Sequence, residues 1–280
     1  MFKRHFKAEH INAIEDDLIG NGDIGRYVLL PGSDGRAKNI AEHFDNLVVK
    51  QHQRAHNLYL GTLSCDGKMI DVATISSGMG CPSIEIILHE LFQLGAKRFL
   101  RIGTGGSLQA ERIKIGDIVN AQAAVRDEDT TTHYAPLEFP AIASLEFTSS
   151  IMLAAEKIGL ANKLHTGIVH CKSSLYAREF SAGPRADENN AYINLLSRTG
   201  VLATEMESSA LFIQSQIYNH QLLQKGNSPH HRVLAGAILA IVATPENHFD
   251  RSNKPEQAIQ QGIQLALETV RTLASQEFIE

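Results

Sequence analysis

Cysteine is scarce in this chain: Cys65, Cys81 and Cys171 are the only three in 280 residues. An odd, sparse set without Cys-x-x-Cys spacing supports neither a disulfide framework nor a zinc site, and it fits a reducing, cytoplasmic compartment. Long apolar runs are missing too. The longest, Leu234–Ala243, falls well short of the roughly 20 residues that a bilayer span needs. It reads instead as a central strand buried on both faces. The segment Phe2–Lys7 is basic, but no apolar stretch follows it, so it does not read as a secretory signal. A strong charge of either sign is also absent. The net charge of −5 implies no general affinity for nucleic acid or an anionic membrane. An anionic substrate is then drawn by local arginines rather than by the field of the whole molecule. There is no internal repeat and no low-complexity segment.

What is present is an alternation of strand and helix patterns. Tyr27–Leu30 reads as a strand and Ala37–Phe44 as a helix. Leu58–Cys65 and Met69–Ile75 flank Asp66-Gly67, a hairpin signal. Ser83–Leu94 has helical spacing, with Ile84, Ile87, Leu88 and Leu91 on one face. Strands are expected at Arg98–Ile102, Asp117–Ala123, His165–His170, Val201–Thr204 and Arg232–Val242. Helices are expected at Leu145–Ile158, Asp187–Leu196, Glu207–Tyr218 and Pro255–Ser275. This order predicts one α/β domain over residues 1–280, with a central mixed sheet flanked by helices. The polar stretch Asn219–His231 reads as an exposed loop. Its His220, His230 and His231 have no carboxylate or cysteine beside them, so no metal is expected.

Two places suggest chemistry. The run Arg101-Ile102-Gly103-Thr104-Gly105-Gly106 follows an apolar strand and reads as its terminal turn. Such a turn offers backbone N–H groups without side chains in the way, and its arginine adds a fixed charge. Pro31-Gly32-Ser33-Asp34-Gly35-Arg36 has the same character after Tyr27–Leu30. Together the two corners suggest a phosphate held from two sides. Taken singly, each is equally well read as an ordinary strand-to-helix turn with a solvated arginine. Glu205 and Glu207 read alone as acidic residues favourable to a helix N-terminus. Arg54 and His10 read alone as surface residues.

Gly32–Arg36, Phe99–Gly106, His133–Pro140 and Glu205-Met206-Glu207-Ser208 occur in the order seen in nucleoside phosphorylases. The chain resembles that family, and within it most closely the bacterial uridine phosphorylase branch, from about His10 to the last helix. The run Ala135–Ala141 is specific to that branch. The resemblance implies cleavage of a nucleoside, pyrimidine by expectation, to free base and ribose 1-phosphate. It implies no cofactor beyond inorganic phosphate as co-substrate. It also implies a homo-oligomer with a dimer as its minimal unit and a hexamer as its full assembly. By resemblance, Gly32, Arg36, Arg101 and Thr104 would hold phosphate, and Arg54 would complete the cage from a neighbouring subunit. Thr104, Met206 and Glu207 would hold the ribose, and His10 would reach the 5′-hydroxyl from the partner. Arg101, Thr104 and Glu207 would carry the catalysis.

The base pocket departs from the family. Gly106, Tyr176, Arg178, Glu179 and Ser181 are its candidates. In an ungapped alignment Glu179 and Ser181 stand where uridine phosphorylases place a glutamine and an arginine; a one-residue slip would bring Arg178 close to the pocket, and Arg185 is also nearby. Ile238–Thr244 carries neither the aspartate of hexameric purine nucleoside phosphorylases nor the arginine of uridine phosphorylases. Ala55 stands where some uridine phosphorylases use a glutamate to hold potassium, so no such ion is expected. Two other readings stay open: a phosphorylase of altered base preference, purine or modified, and a nucleoside-binding protein without activity. A nucleosidase using water would leave Arg36, Arg54 and Arg101 superfluous.

Overall fold

The computed structural model describes residues 6–227, 231–248 and 250–277. His230, one of the loop histidines considered above, lies outside them. The sequence begins its core with β1 (Tyr27–Pro31), buried throughout, and α1 (Asp34–Ala41), whose first turn is capped by the Ser33 hydroxyl. β2 (Asp45–Lys50), β3 (Leu58–Cys65) and β4 (Lys68–Thr74) form a meander. The Asp66-Gly67 turn has φ of 50° and 77°, the pair of positive values that a tight two-residue hairpin needs. β2 has no alternating signal because it is the edge of the sheet, with Leu47, Val48 and Val49 all exposed.

α2 (Cys81–Gln93) leads to β5 (Arg98–Ser107), and β6 (Ile118–Asp127) is followed by the two-residue β7 (Ala141–Ile142) and α3 (Leu145–Lys157). Then come β8 (Leu164–Lys172), α4 (Leu175–Glu179), α5 (Ala186–Arg198), β9 (Ala203–Glu205) and α6 (Ser208–Gln224). β10 (Leu234–Ala243) and α7 (Lys254–Glu277) close the chain's regular structure. Asn219–Gln224 is therefore helix, not the expected loop. Four of its six side chains are polar because this end of α6 emerges from the core, where Ser208–Ser215 are buried without interruption.

The sheet mixes parallel and antiparallel pairs in the order β10-β6-β8-β9-β5-β1-β4-β3-β2, and β10 also pairs with β5. β5, β9, β8, β6 and β10 thus form a closed ring, from which β1 to β4 extend as an open wing. β10 lies inside this ring between β5 and β6, which explains its continuous apolar sequence. One face of the sheet packs on α2 and α6, the other on α1, α3 and α7, each with its own apolar cluster. Among the described residues no helix is long and apolar enough to cross a membrane.

β5 corrects one expectation. The Gly103–Gly106 run is not a turn with free N–H groups. It continues the strand, paired with β10 from Leu234↔Arg98 to Ala243↔Gly106 and with β9 at Gly106↔Thr204. The glycines are needed for closeness. A Cβ on Gly105 would stand 2.7 Å from the Thr204 carbonyl oxygen, and one on Gly103 would stand 2.9 Å from Leu239. Small residues let three strands converge, and the convergence sets the floor of a cavity.

Candidate active site

That cavity has a volume of about 530 Å³. It opens where the ends of β1, β8, β9 and β10 meet the second half of β5. Gly32, Arg36, Arg101, Thr104, Gly106, Glu179, Met206 and Glu207 all line it. Eight of the residues singled out from the sequence therefore share one space, although they come from four separate stretches of chain.

At its centre is Arg101, 3 % exposed on β5. Its guanidinium hydrogen-bonds the Glu207 carboxylate and donates to the Ser77 hydroxyl at 3.2 Å, and its Nε lies 3.4 Å from a Glu205 oxygen. Burial alone would discharge this arginine, but Glu207 and then Glu205 outweigh it, and its pKa ends above the ordinary value. Glu207 shows the opposite balance. Burial pushes its carboxyl up, Arg101 pulls it back only in part, and the result stays raised. The Gly80 N–H donates to Glu207 Oε1 at 2.6 Å. Gly80 has φ of 83°, a backbone shape that favours glycine, and it is the residue before α2. An ionised carboxylate has about four lone-pair sites. Gly80 and Arg101 use one on each oxygen, and a second acceptor position remains on each.

Glu205 is committed elsewhere. Its oxygens accept the backbone N–H groups of Glu207 and Ser208 at 2.9–3.0 Å, which caps the start of α6. Met206 sits between the two glutamates on the cavity wall.

On one side of this centre is Arg36, half-buried, with Nη1 3.4 Å from the Ile102 carbonyl oxygen. Burial, then repulsion from Arg101, lowers its pKa. It forms no ion pair with another described residue. Two arginines near each other, one without an acidic partner, make a cationic end that an anion would stabilise.

On the other side is a residue the sequence reading missed. Lys172, 2 % exposed at the end of β8, donates to the Thr204 hydroxyl at 2.9 Å and pairs with Glu179 at 2.6 Å. A lysine closing an apolar strand is the one signal that pointed to it. The pair sets a donor beside an acceptor at this end of the cavity. Phe180 and His248 pack ring to ring at 4.7 Å above it, and Arg251 completes the rim.

The remaining base candidates are not in this cavity. α4 explains part of this: Leu175 and Glu179 are four residues apart and share its inward face, Tyr176 and Arg178 fall on other faces, and Ser181 lies beyond the end of the helix with φ of 54°. Tyr176 is 63 % exposed. Arg178 pairs with Asp127 at 2.7 Å, bonds Asn189 and stacks over Tyr192, lining a separate cavity of about 310 Å³. Ser181 bonds Asn190, and Arg185 bonds Glu188 at the surface. Neither Arg178 nor Arg185 lines this cavity, and Lys172 does.

Arg54 and His10 do not line the cavity of their own chain. Arg54 is exposed in the turn after β2, next to Ala55 with φ of 55°. His10 is held by Glu90 on α2 at 2.8 Å. Among the described residues no group of three or more His, Cys, Asp or Glu side chains is placed to hold a metal.

Comparison with known proteins identifies the family. The model of a family described as the phosphorylase superfamily matches residues 26–268. A uridine phosphorylase of Treponema pallidum (strain Nichols) is 34 % identical over 260 residues, which covers 91 % of this chain and 92 % of that one. The uridine phosphorylase of Escherichia coli (strain K12) is 33 % identical over 72 % of this chain and 77 % of its own length. A guanosine phosphorylase of Halorubrum lacusprofundi is 28 % identical over 91 % of this chain and 97 % of its own length.

Proposed function

The chain belongs to the phosphorylase superfamily, and from that membership we propose that it is a nucleoside phosphorylase, a pentosyltransferase acting on uridine or a nucleoside with a similar base edge. One observation carries the reading. The cavity's contacts run in a fixed order, from the Arg36–Arg101 cations, through the Glu207 carboxylate, to the Lys172–Glu179 pair. A nucleoside with an attacking phosphate presents complementary groups in that order: an anion, a vicinal diol, and a base edge with both carbonyl and N–H.

The chemistry follows from those places. Phosphate lies against Arg36, Arg101, Gly32 and Thr104, facing C1′. Glu207 uses its two remaining acceptor positions for the 2′- and 3′-hydroxyls, and Met206 packs on the sugar. As the bond from C1′ to the base nitrogen breaks, its electron pair passes to the base and the sugar becomes cationic, as in glycoside cleavage. A phosphate oxygen then bonds C1′, giving ribose 1-phosphate. The Lys172 ammonium meets the charge that gathers on a base carbonyl, and a fixed cation in a dry site needs little rearrangement to do so. The Glu179 carboxylate accepts from the base N–H. Uracil has both features, and so does the guanine of the Halorubrum relative's substrate name.

A nucleoside panel assayed with and without phosphate tests the reading. Base release that requires phosphate and yields ribose 1-phosphate supports it. Release without phosphate indicates a nucleosidase, and binding without release indicates a sensor; either overturns it. The base end has its own test. Lys172→Met should lower kcat/KM for uridine about 10- to 100-fold, the value of one charged hydrogen bond of about 1.5–3 kcal/mol. Unchanged kinetics would remove Lys172 from the base.

Assembly is part of the proposal. In this reading Arg54 and His10 serve a neighbouring copy, with a dimer as the smallest active unit and a hexamer as the assembly. Arg54→Ala and Glu207→Ala subunits, each inactive alone, should regain activity when mixed, because half of the hybrid sites then have both residues. Failure to complement in verified hybrids would place Arg54 outside the site.

A further inference from the structure

Glu90 is a buried carboxylate with no place in the cavity. It is 5 % exposed on α2. It accepts the backbone N–H groups of Glu9, His10 and Ile11 at 3.0–3.1 Å, and His10 Nδ1 lies 2.8 Å from its Oε1. Burial acts against its charge, yet the His10 ring and these backbone donors together hold the carboxyl below its usual range. Anchoring the segment does not require the ring contact. Ile11 and Leu18 are 2 % and 1 % exposed and seat the chain by apolar burial. What the fourth contact adds is the orientation of an imidazole whose side chain is otherwise 38 % exposed.

The contact also fixes a tautomer. An ionised carboxylate only accepts, so the neutral ring carries its proton on Nδ1 and leaves the Nε2 lone pair to accept a hydrogen bond. An acceptor held in that way selects a hydroxyl donor. We propose that Glu90 is a positioning residue that fixes the His10 ring and tautomer so that Nε2 accepts the 5′-hydroxyl of a nucleoside bound by a second copy of the chain. This rests on the assembly reading given above.

The comparison of uridine with 5′-deoxyuridine, at saturating phosphate, isolates the contact. His10→Ala and Glu90→Gln should each lower kcat/KM for uridine about tenfold, mainly through KM. Neither should change the 5′-deoxyuridine reaction by more than about twofold, and the double variant should be no worse than either single one. Nitrogen-15 spectra of His10 give a readout independent of turnover: the Nδ1–H tautomer should dominate in the parent protein and lose that dominance in Glu90→Gln. If wild type shows no phosphorolysis, the parent reading fails. If His10→Ala leaves the uridine to 5′-deoxyuridine ratio unchanged, His10 is not at the 5′ end. If His10→Ala shifts the ratio and Glu90→Gln does not, or Glu90→Gln depresses both substrates equally, the positioning role of Glu90 is overturned.

Discussion

Arg101→Ala is expected to lose nearly all activity and to melt about 10 °C lower than the parent. Two losses combine. The first is structural. Arg101 is the cation between two buried carboxylates, and removing one member of such a group typically costs about 3–5 kcal/mol because the others stay desolvated and unpaired. For a chain of this size each kcal/mol corresponds to roughly 2–4 °C. The second is the lost charged contact to phosphate, about 1.5–3 kcal/mol, which should raise the phosphate KM and lower kcat. The pH dependence has a definite sign. Glu207 already has a raised pKa, so its carboxyl favours the fold when protonated and loses that contribution as pH rises through its folded value. Without Arg101 the folded value rises further, and the destabilisation should therefore be larger at neutral than at mildly acidic pH. Melting curves at two pH values and a phosphate titration check both parts. A variant with parental melting temperature and parental phosphate KM would contradict the placement of Arg101.

Glu207→Ala should lower kcat/KM for uridine by about 10²- to 10⁴-fold, from two charge-assisted hydrogen bonds of about 1.5–3 kcal/mol each. The loss should shrink for 2′-deoxyuridine, which offers one hydroxyl fewer, and that ratio separates sugar recognition from general damage. The acid limb of the parent's pH–rate profile should sit above the ordinary carboxylate range, since burial raises this group and only the ionised form accepts both hydroxyls. Equal losses for both nucleosides would mean that Glu207 does not grip the diol.

Most of the layers were legible in the sequence because their signals are local. The Asp66-Gly67 hairpin, the amphipathic face of Ser83–Leu94 and the apolar run at Leu234 each state their own structure. The phosphate and ribose candidates were legible for another reason: the resemblance supplied their order, and the fold then gathered Arg36, Arg101 and Glu207 into one cavity. What escaped depended on distance or on one turn of helix. Gly103–Gly106 looks like a turn because glycine usually marks one, but here the need for small residues comes from Thr204 and Leu239, far along the chain. Glu179 and Ser181 looked equivalent in an ungapped reading, but α4 ends at Glu179 and the chain has left the helix by Ser181, which has φ of 54°. Lys172 and Glu90 carry no motif. Their partners are Thr204 and His10, and pairings across the fold leave no spacing to read.

The closure of the strand ring has a consequence for how the molecule is made. Arg98 pairs with Leu234, so β5 must wait for almost the whole chain before the strand that runs along nearly its full length arrives. Until then β5 and β6 both present open edges, and the cavity lacks the wall that Val242 and Ala243 provide. Such non-local pairings fold slowly. A nascent chain on the ribosome that has not yet released Leu234–Ala243 has no complete site, and the segment it awaits is the most apolar one it contains. Residence near a chaperone is most valuable at that moment, and slowed translation just before Leu234 would prolong the exposure of both edges.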